Sequence, residues 1–202
     1  MSVLESTKLN QEIFNNIEIT SQENMIIKSL EKFYEDINNI NLFIPIINSQ
    51  SKISIRLIDY FITKYSKNNK INYKIKDNNV ETIFNIYTSY KQQLKAFQKK
   101  HFDPFSRGDR IPYFMGDNYI ITTIGQLNFF RWFISKKIYE YIIENQELIE
   151  YDMNKKNKLE YKIKKKPIKK YTNYANNIQF KNNRIVPLEP KNEKIIVHFS
   201  FS

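Results

Sequence analysis

A chain of 202 residues suits one domain, or one domain with a tail, and is long enough to bury a core without covalent staples. The absence of cysteine excludes disulfides, thiolate metal sites and cysteine nucleophiles, and two histidines, His101 and His198, cannot build a metal site by themselves. With 32 Lys and Arg against 21 Asp and Glu the net charge is +11, so acidic partners are expected.

Residues 1–19 show no clear period and are expected to be irregular. The start of the chain is polar, without a hydrophobic signal core, and Met1 is not followed by the glycine that myristoylation needs. The longest apolar run, 42–47, is far short of the ~20 residues that cross a bilayer. A soluble intracellular protein with no membrane contact is therefore expected. Thr20 followed by Glu23 fits a capping box, and Ile26, Leu30, Phe33 and Ile37 then share one face of a helix ending near Asn38. Residues 41–50 contain Pro45 and read as a packed connector. Ile55, Ile58, Ile62 and Tyr65 predict a second helix over about 53–66.

After the SKNNK turn, alternation in INYKIK and in ETIFNIYTSY predicts two strands of a hairpin. A short helix is expected over 92–100, with Leu94 and Phe97 inward and Lys91, Lys95 and Lys99 as a stripe. Asp103-Pro104 ends it, since the residue before proline is driven out of the α region. Residues 111–115 and 119–122 predict a second hairpin around Gly116-Asp117-Asn118. Thr123 with Gln126 offers another capping box, opening the most apolar helix of the chain. Leu127, Phe130, Ile134, Ile138 and Tyr141 share a face, with Phe129, Trp132 and Phe133 around it, the pattern of a core hub. Its polar positions, Gln126, Asn128 and Arg131, are expected to be exposed. They are too few for a DNA-recognition helix, and no helix precedes them at helix-turn-helix spacing. Gly125 in the first turn costs about 1 kcal/mol against alanine unless close packing needs it.

Residues 171–193 are polar and asparagine-rich and predict no regular structure. The final KIIVHFSFS alternates, with Ile195, Val197, Phe199 and Phe201 on one side. The fold class expected is α+β: about four helices on a small, mainly antiparallel sheet, to which the C-terminal strand returns. The organisation expected is a domain over 1–153, a basic polar segment over 154–193 and a docking strand over 194–202.

The positive excess is local. Residues 91–110 carry six cations and two aspartates, and 155–170 carry nine lysines and one glutamate, so the rest of the chain is close to neutral. Two cationic patches on a neutral body suit a polyanion, whose counterions are released on binding. The candidate nucleic-acid contacts are Lys91, Lys95, Lys99, Lys100, Arg107 and Arg110, with Lys162, Lys164, Lys165, Lys166, Lys169 and Lys170 as a second set. Tyr161, Tyr171 and Tyr174 lie near enough in sequence to stack on bases. The plain alternative is a solvated surface in a lysine-rich chain. KIKKKPIKK also has the composition of a nuclear-import signal. The RGD at 107–109 is better read as a turn in which arginine pairs with aspartate. No phosphate-cradling GxxxxGK, GxSxG, HExxH or kinase set is present, so no catalytic residue, metal, cofactor or small-molecule substrate is assigned. Asp59, Asp103, Asp109 and Asp117 are carboxylates without a shared motif.

At YKQQLKAFQKKHFDPFSR and TTIGQLNFFRWFI the chain resembles uncharacterised proteins of nucleocytoplasmic large DNA viruses, notably mimivirus-like giant viruses. The likeness covers about residues 53–153, with an echo in the final VHFSFS. It implies a viral protein of the host cytoplasm, within the virus factory, or of the virion, and brings no activity or catalytic residue with it. Together these readings point to a non-enzymatic protein that associates with nucleic acid without base specificity. The alternative is a scaffold of virion or factory that binds viral protein partners.

Overall fold

The computed structural model describes residues 3–77, 80–116, 118–165, 178–187 and 197–201. They fall into two compact units, Met1–Met153 and Asn154–Ser202. The first unit opens with a helix, α1 (Val3–Asn15), where irregular chain was expected. The face α1 buries is largely polar, which hides the period: Ser6, Asn10 and Phe14 point inwards. Asn10 donates to the Phe114 carbonyl and accepts from the Phe114 N–H, both at 2.8 Å, as a neighbouring strand would.

α2 (Ser21–Tyr34) starts at Thr20, and both halves of the expected capping box are formed. It stops at Tyr34 because Asp36 caps a further helix, α3 (Ile37–Ile47), in place of the expected connector. Pro45 falls in its last turn, where a proline removes only one intrahelical bond, and Ile40, Phe43 and Ile46 bury the helix against the core. α4 (Ile55–Tyr60) runs through a π-helical turn (Phe61–Tyr65) into the short α5 (Ser66–Asn68).

The first hairpin pairs β1 (Asn72–Asp77) with β2 (Val80–Asn85), antiparallel as expected. The second expected strand ends early. Asn85 accepts from Thr88 N–H at 2.8 Å and starts α6 (Ile86–Phe97), so the β-branched IYTSY is helical. The second hairpin pairs β3 (Ile111–Met115) with β4 (Asn118–Thr122). α7 (Ile124–Ser135) is the hub: Leu127, Phe130 and Phe133 have no exposed surface. Phe43 of α3 packs on Phe130 with ring centroids 5.2 Å apart, and the Tyr34 hydroxyl of α2 donates to the Leu127 carbonyl at 3.1 Å. Trp132 is buried in the same core and donates to Ser89 Oγ at 3.0 Å. The helix expected to reach Tyr141 breaks at Lys137, which is left-handed (φ 54°), and the apolar face resumes in α8 (Ile138–Glu144).

α9 (Gln146–Lys165) carries the chain from the first unit into the second, so the lysine-rich stretch is helical as far as Lys165. The second unit also holds β5 (Ile178–Pro187), within a segment expected to be irregular, and β6 (Val197–Phe201). The class is α+β. Two expectations are corrected: there are more helices than four, and the described strands form separate two-stranded sheets instead of one. The C-terminal strand is present, but it pairs with β5 and not with either hairpin. β5 is the nearer strand edge in sequence, and it satisfies the backbone of β6.

Of the three glycines, Gly125 has the least room for a side chain. A Cβ there would stand 2.7 Å from the Lys100 carbonyl oxygen and 3.3 Å from His101 C and Phe102 N. These are backbone atoms, which cannot swing aside. Gly125→Ala should therefore destabilise the protein by about 1–3 kcal/mol in urea unfolding, despite alanine's better helix propensity. A gain in stability would show that the close approach is not needed.

Candidate nucleic-acid interface

The first basic stretch is positioned by α6 and by the segment that follows it. Leu94 and Phe97 turn α6 towards the core, which leaves Lys91 and Lys95, one turn apart, exposed. Gln98, at φ 57°, reverses the chain after the helix, and Lys99 and Lys100 are exposed on the turn. Residues 101–104 then lie against the first turn of α7. Phe102 is buried among Trp132 at 5.4 Å, Phe129 at 5.2 Å and Tyr90 at 6.1 Å.

Polar side chains of α7 hold this segment. Gln126 Nε2 donates to the Pro104 carbonyl at 2.8 Å, and Asn128 Nδ2 donates to the His101 carbonyl at 2.9 Å. The second capping box is thus half made: Thr123 Oγ1 accepts from Gln126 N–H at 3.1 Å, but the Gln126 side chain is engaged elsewhere. The expectation that Gln126 and Asn128 are exposed is corrected, since both are buried. An irregular segment in a core must find partners for its carbonyls, and these two side chains supply them.

Glu23 of α2 closes the other side. Its Oε1 meets His101 Nε2 at 2.9 Å and Lys100 Nζ at 3.1 Å. Its Oε2 accepts from Thr20 N at 3.0 Å and from Thr20 Oγ1 at 2.7 Å. Burial alone would push this carboxyl up. The two Thr20 hydrogen bonds, followed by those from His101 and Lys100, outweigh it and hold the pKa down at about 2.

Arg107 is fixed in the same way on the outer rim, by a two-point ion pair. Its Nε meets Asp103 Oδ2 at 2.8 Å and its Nη2 meets Asp103 Oδ1 at 2.7 Å, with the guanidinium 5.0 Å from the Phe105 ring centre. This is the pairing expected of the RGD turn, made with Asp103. Asp59 of α4 feels the pair: burial, then Asp103, push its carboxyl up, while Arg107 and Lys64 oppose them. Among the described residues no group of three or more His, Asp or Glu could hold a metal ion.

Lys99, Lys100, Asp103, Phe105, Arg107 and Thr123 line one cleft of about 350 Å³. The structure therefore brings Lys99, Lys100 and Arg107 together at a cleft, with Lys91 and Lys95 on the preceding helix. Arg110, exposed just before β3, does not line it. Of the second set, Lys162, Lys164 and Lys165 lie on α9, while Lys166, Lys169 and Lys170, like Tyr171 and Tyr174, lie outside the described residues. Sequence reasoning missed Glu23 and Thr123 at this site. The local pattern marks Glu23 as a helix cap only, and nothing in it points 78 residues ahead to His101.

Comparison with known proteins agrees with the kinship expected from the two motifs. A family of unknown function, DUF7197, matches residues 5–199. The chain belongs to this family. It is also similar to an uncharacterized protein of Acanthamoeba polyphaga mimivirus, 38% identical over 135 residues, which is 63% of this chain and 52% of that protein. The chain thus spans about half the length of that relative. No solved structure matches it.

Glu23 makes the site acid-sensitive. A carboxyl held at about 2 in the fold, against an ordinary 4.5, stabilises the native state above its ordinary value. That contribution is lost as pH falls from about 4.5 towards 2. Thermal unfolding followed by circular dichroism should show wild type more stable than Glu23→Gln at pH 6. The gap should close on acidification. A gap independent of pH would assign the difference to packing.

Proposed function

We propose that this protein binds nucleic acid without catalysis, through the phosphate backbone and without base specificity. The observation that supports the reading best is the cation-lined cleft, with further cations beside it on α6. Among the described residues Lys91, Lys95, Lys99 and Arg110 form no salt bridge, so their charge is available to a polyanion. Lys100 and Arg107 are held in place by carboxylates yet remain exposed on the cleft. Arg107 uses two of its nitrogens on Asp103, and the remaining N–H groups suit a phosphate oxygen. The lysine-rich end of α9 supplies a second contact. A setting in the virus factory, the virion or the host nucleus fits such a ligand.

A second reading, a scaffold that binds viral proteins, is favoured by a different surface. On the β3–β4 hairpin Pro112 pairs with Ile121, and Phe114 with Tyr119, so these side chains share the face away from the core. Ile121 is 54% exposed and Tyr119 66% exposed. An apolar sheet face of this kind suits a protein partner.

Salt-dependent binding to a labelled duplex decides between them. Replacing Lys91, Lys95, Lys99, Lys100, Arg107 and Arg110 by glutamine should weaken binding irrespective of sequence. The slope of log affinity against log salt should become shallower by up to ~0.9 for each phosphate that is no longer neutralised. Wild type with no nucleic-acid affinity at low salt overturns the reading. Loss of a viral protein partner on Ile121→Asp would support the scaffold instead.

A further inference from the structure

On the surface formed by α2, the start of α3 and α7, Arg131 lines a cleft of about 400 Å³ with Ser29, Lys32, Phe33, Asp36, Asn39 and Ser135. Its guanidinium is half-buried, and among the described residues no carboxylate pairs with it. Neutral acceptors hold it instead: Asn128 Oδ1 accepts from Nε at 3.3 Å and from Nη2 at 2.9 Å, and Ser29 Oγ accepts from Nη1 at 2.8 Å. Asn128 has no exposed surface and is itself tied to the His101 carbonyl, so the fork is rigidly aimed. Asp36, the acidic group of the cleft, caps α3 by accepting from Asn38 N at 2.9 Å and Asn38 Nδ2 at 3.0 Å. Burial lowers the Arg131 pKa, with Tyr34 opposing it, as for a cation short of a counter-charge.

Three of the five guanidinium N–H groups are used, which leaves one on each terminal nitrogen. Ser29, an acceptor from Arg131, keeps its hydroxyl proton to donate, and exposed Lys32 adds a second positive charge. Donors from three side chains and two positive charges suit a tetrahedral dianion better than a planar carboxylate. We infer that the Arg131 cleft is a binding site for a phosphate or phosphomonoester group. It shares no lining residue with the Lys99–Arg107 cleft and stands or falls separately from the nucleic-acid reading.

The test is thermal unfolding of the full chain titrated with inorganic phosphate, with chloride holding ionic strength constant. Wild type should gain stability with phosphate beyond the chloride control, as a ligand of the native state must produce. Arg131→Gln should weaken phosphate binding by about ten-fold or more, and Arg131→Lys, which keeps the charge and loses the fork, should fail to restore it. Should Arg131→Gln not fold, Lys32→Gln alters only an exposed side chain and should still weaken phosphate several-fold. Lys8→Gln, an exposed side chain of α1 that lines neither cleft, should leave the titration unchanged. Displacement of phosphate by a phosphomonoester such as O-phosphoserine would assign the group to a phosphomonoester, and indifference to it would assign a free phosphate. Stabilisation equal to the chloride control, or equal in wild type and in both the Arg131→Gln and Lys32→Gln variants, overturns the inference.

Discussion

The close approach of residues 100–104 to the first turn of α7 is the constraint on which the rest of the first unit depends. Only a residue without a Cβ lets the Lys100 carbonyl reach the Gly125 Cα, and the Asp103 N–H then bonds the Gly125 carbonyl at 3.2 Å. Gln126 and Asn128 take the neighbouring carbonyls, and Phe102 completes the aromatic core. With His101 and Phe102 buried, Lys99 and Lys100 on one side and Arg107 on the other have little choice of position. The basic surface is therefore a consequence of the packing of α7, and the same few residues serve stability and charge placement together.

The two carboxylates at this surface do different physical work. Asp103 is mostly shielded while Arg107 is largely exposed, and an exposed pair of this kind contributes little to stability. Its effect is geometric, because a two-point bond fixes the guanidinium plane beside Phe105. Glu23 is buried and bonded at both oxygens, and it joins α2 to residues 100–101. Removing such a partner leaves a desolvated polar group, a far larger penalty than opening a surface pair. Neither carboxylate touches Lys91, Lys95 or Lys99, so the face keeps its positive excess.

What can be read in the sequence follows from how local its causes are. Both hairpins of the first unit and the first capping box depend on residues a few positions apart, and the structure has them. The apolar hub is legible because α7 is buried on most of its circumference. α1 is not, since its inward face carries Ser6 and Asn10, whose partners on the β3–β4 hairpin lie more than a hundred residues away. α6 reads short because β-branched residues follow β2 directly, and one capping bond from Asn85 decides between strand and helix. Gln126 and Asn128 look like solvent-facing positions of an apolar helix. Their burial is a tertiary fact, set by carbonyls that only the folded 101–104 segment presents.

Arg107 and Arg131 show how surroundings decide what an arginine can do. Arg107 sits in water with its counter-charge beside it, and solvent screens whatever field it retains. Arg131 is partly withdrawn from water and held by an amide and a hydroxyl, which orient a guanidinium without cancelling its charge. A charge in a lower dielectric acts more strongly on whatever enters its cleft. Asn128 links the two regions: one end of its amide takes the His101 carbonyl below the Lys99–Arg107 cleft, and the other accepts from Arg131. One buried asparagine on the hub helix thus supports both cationic clefts, and a defect there should disturb the two together.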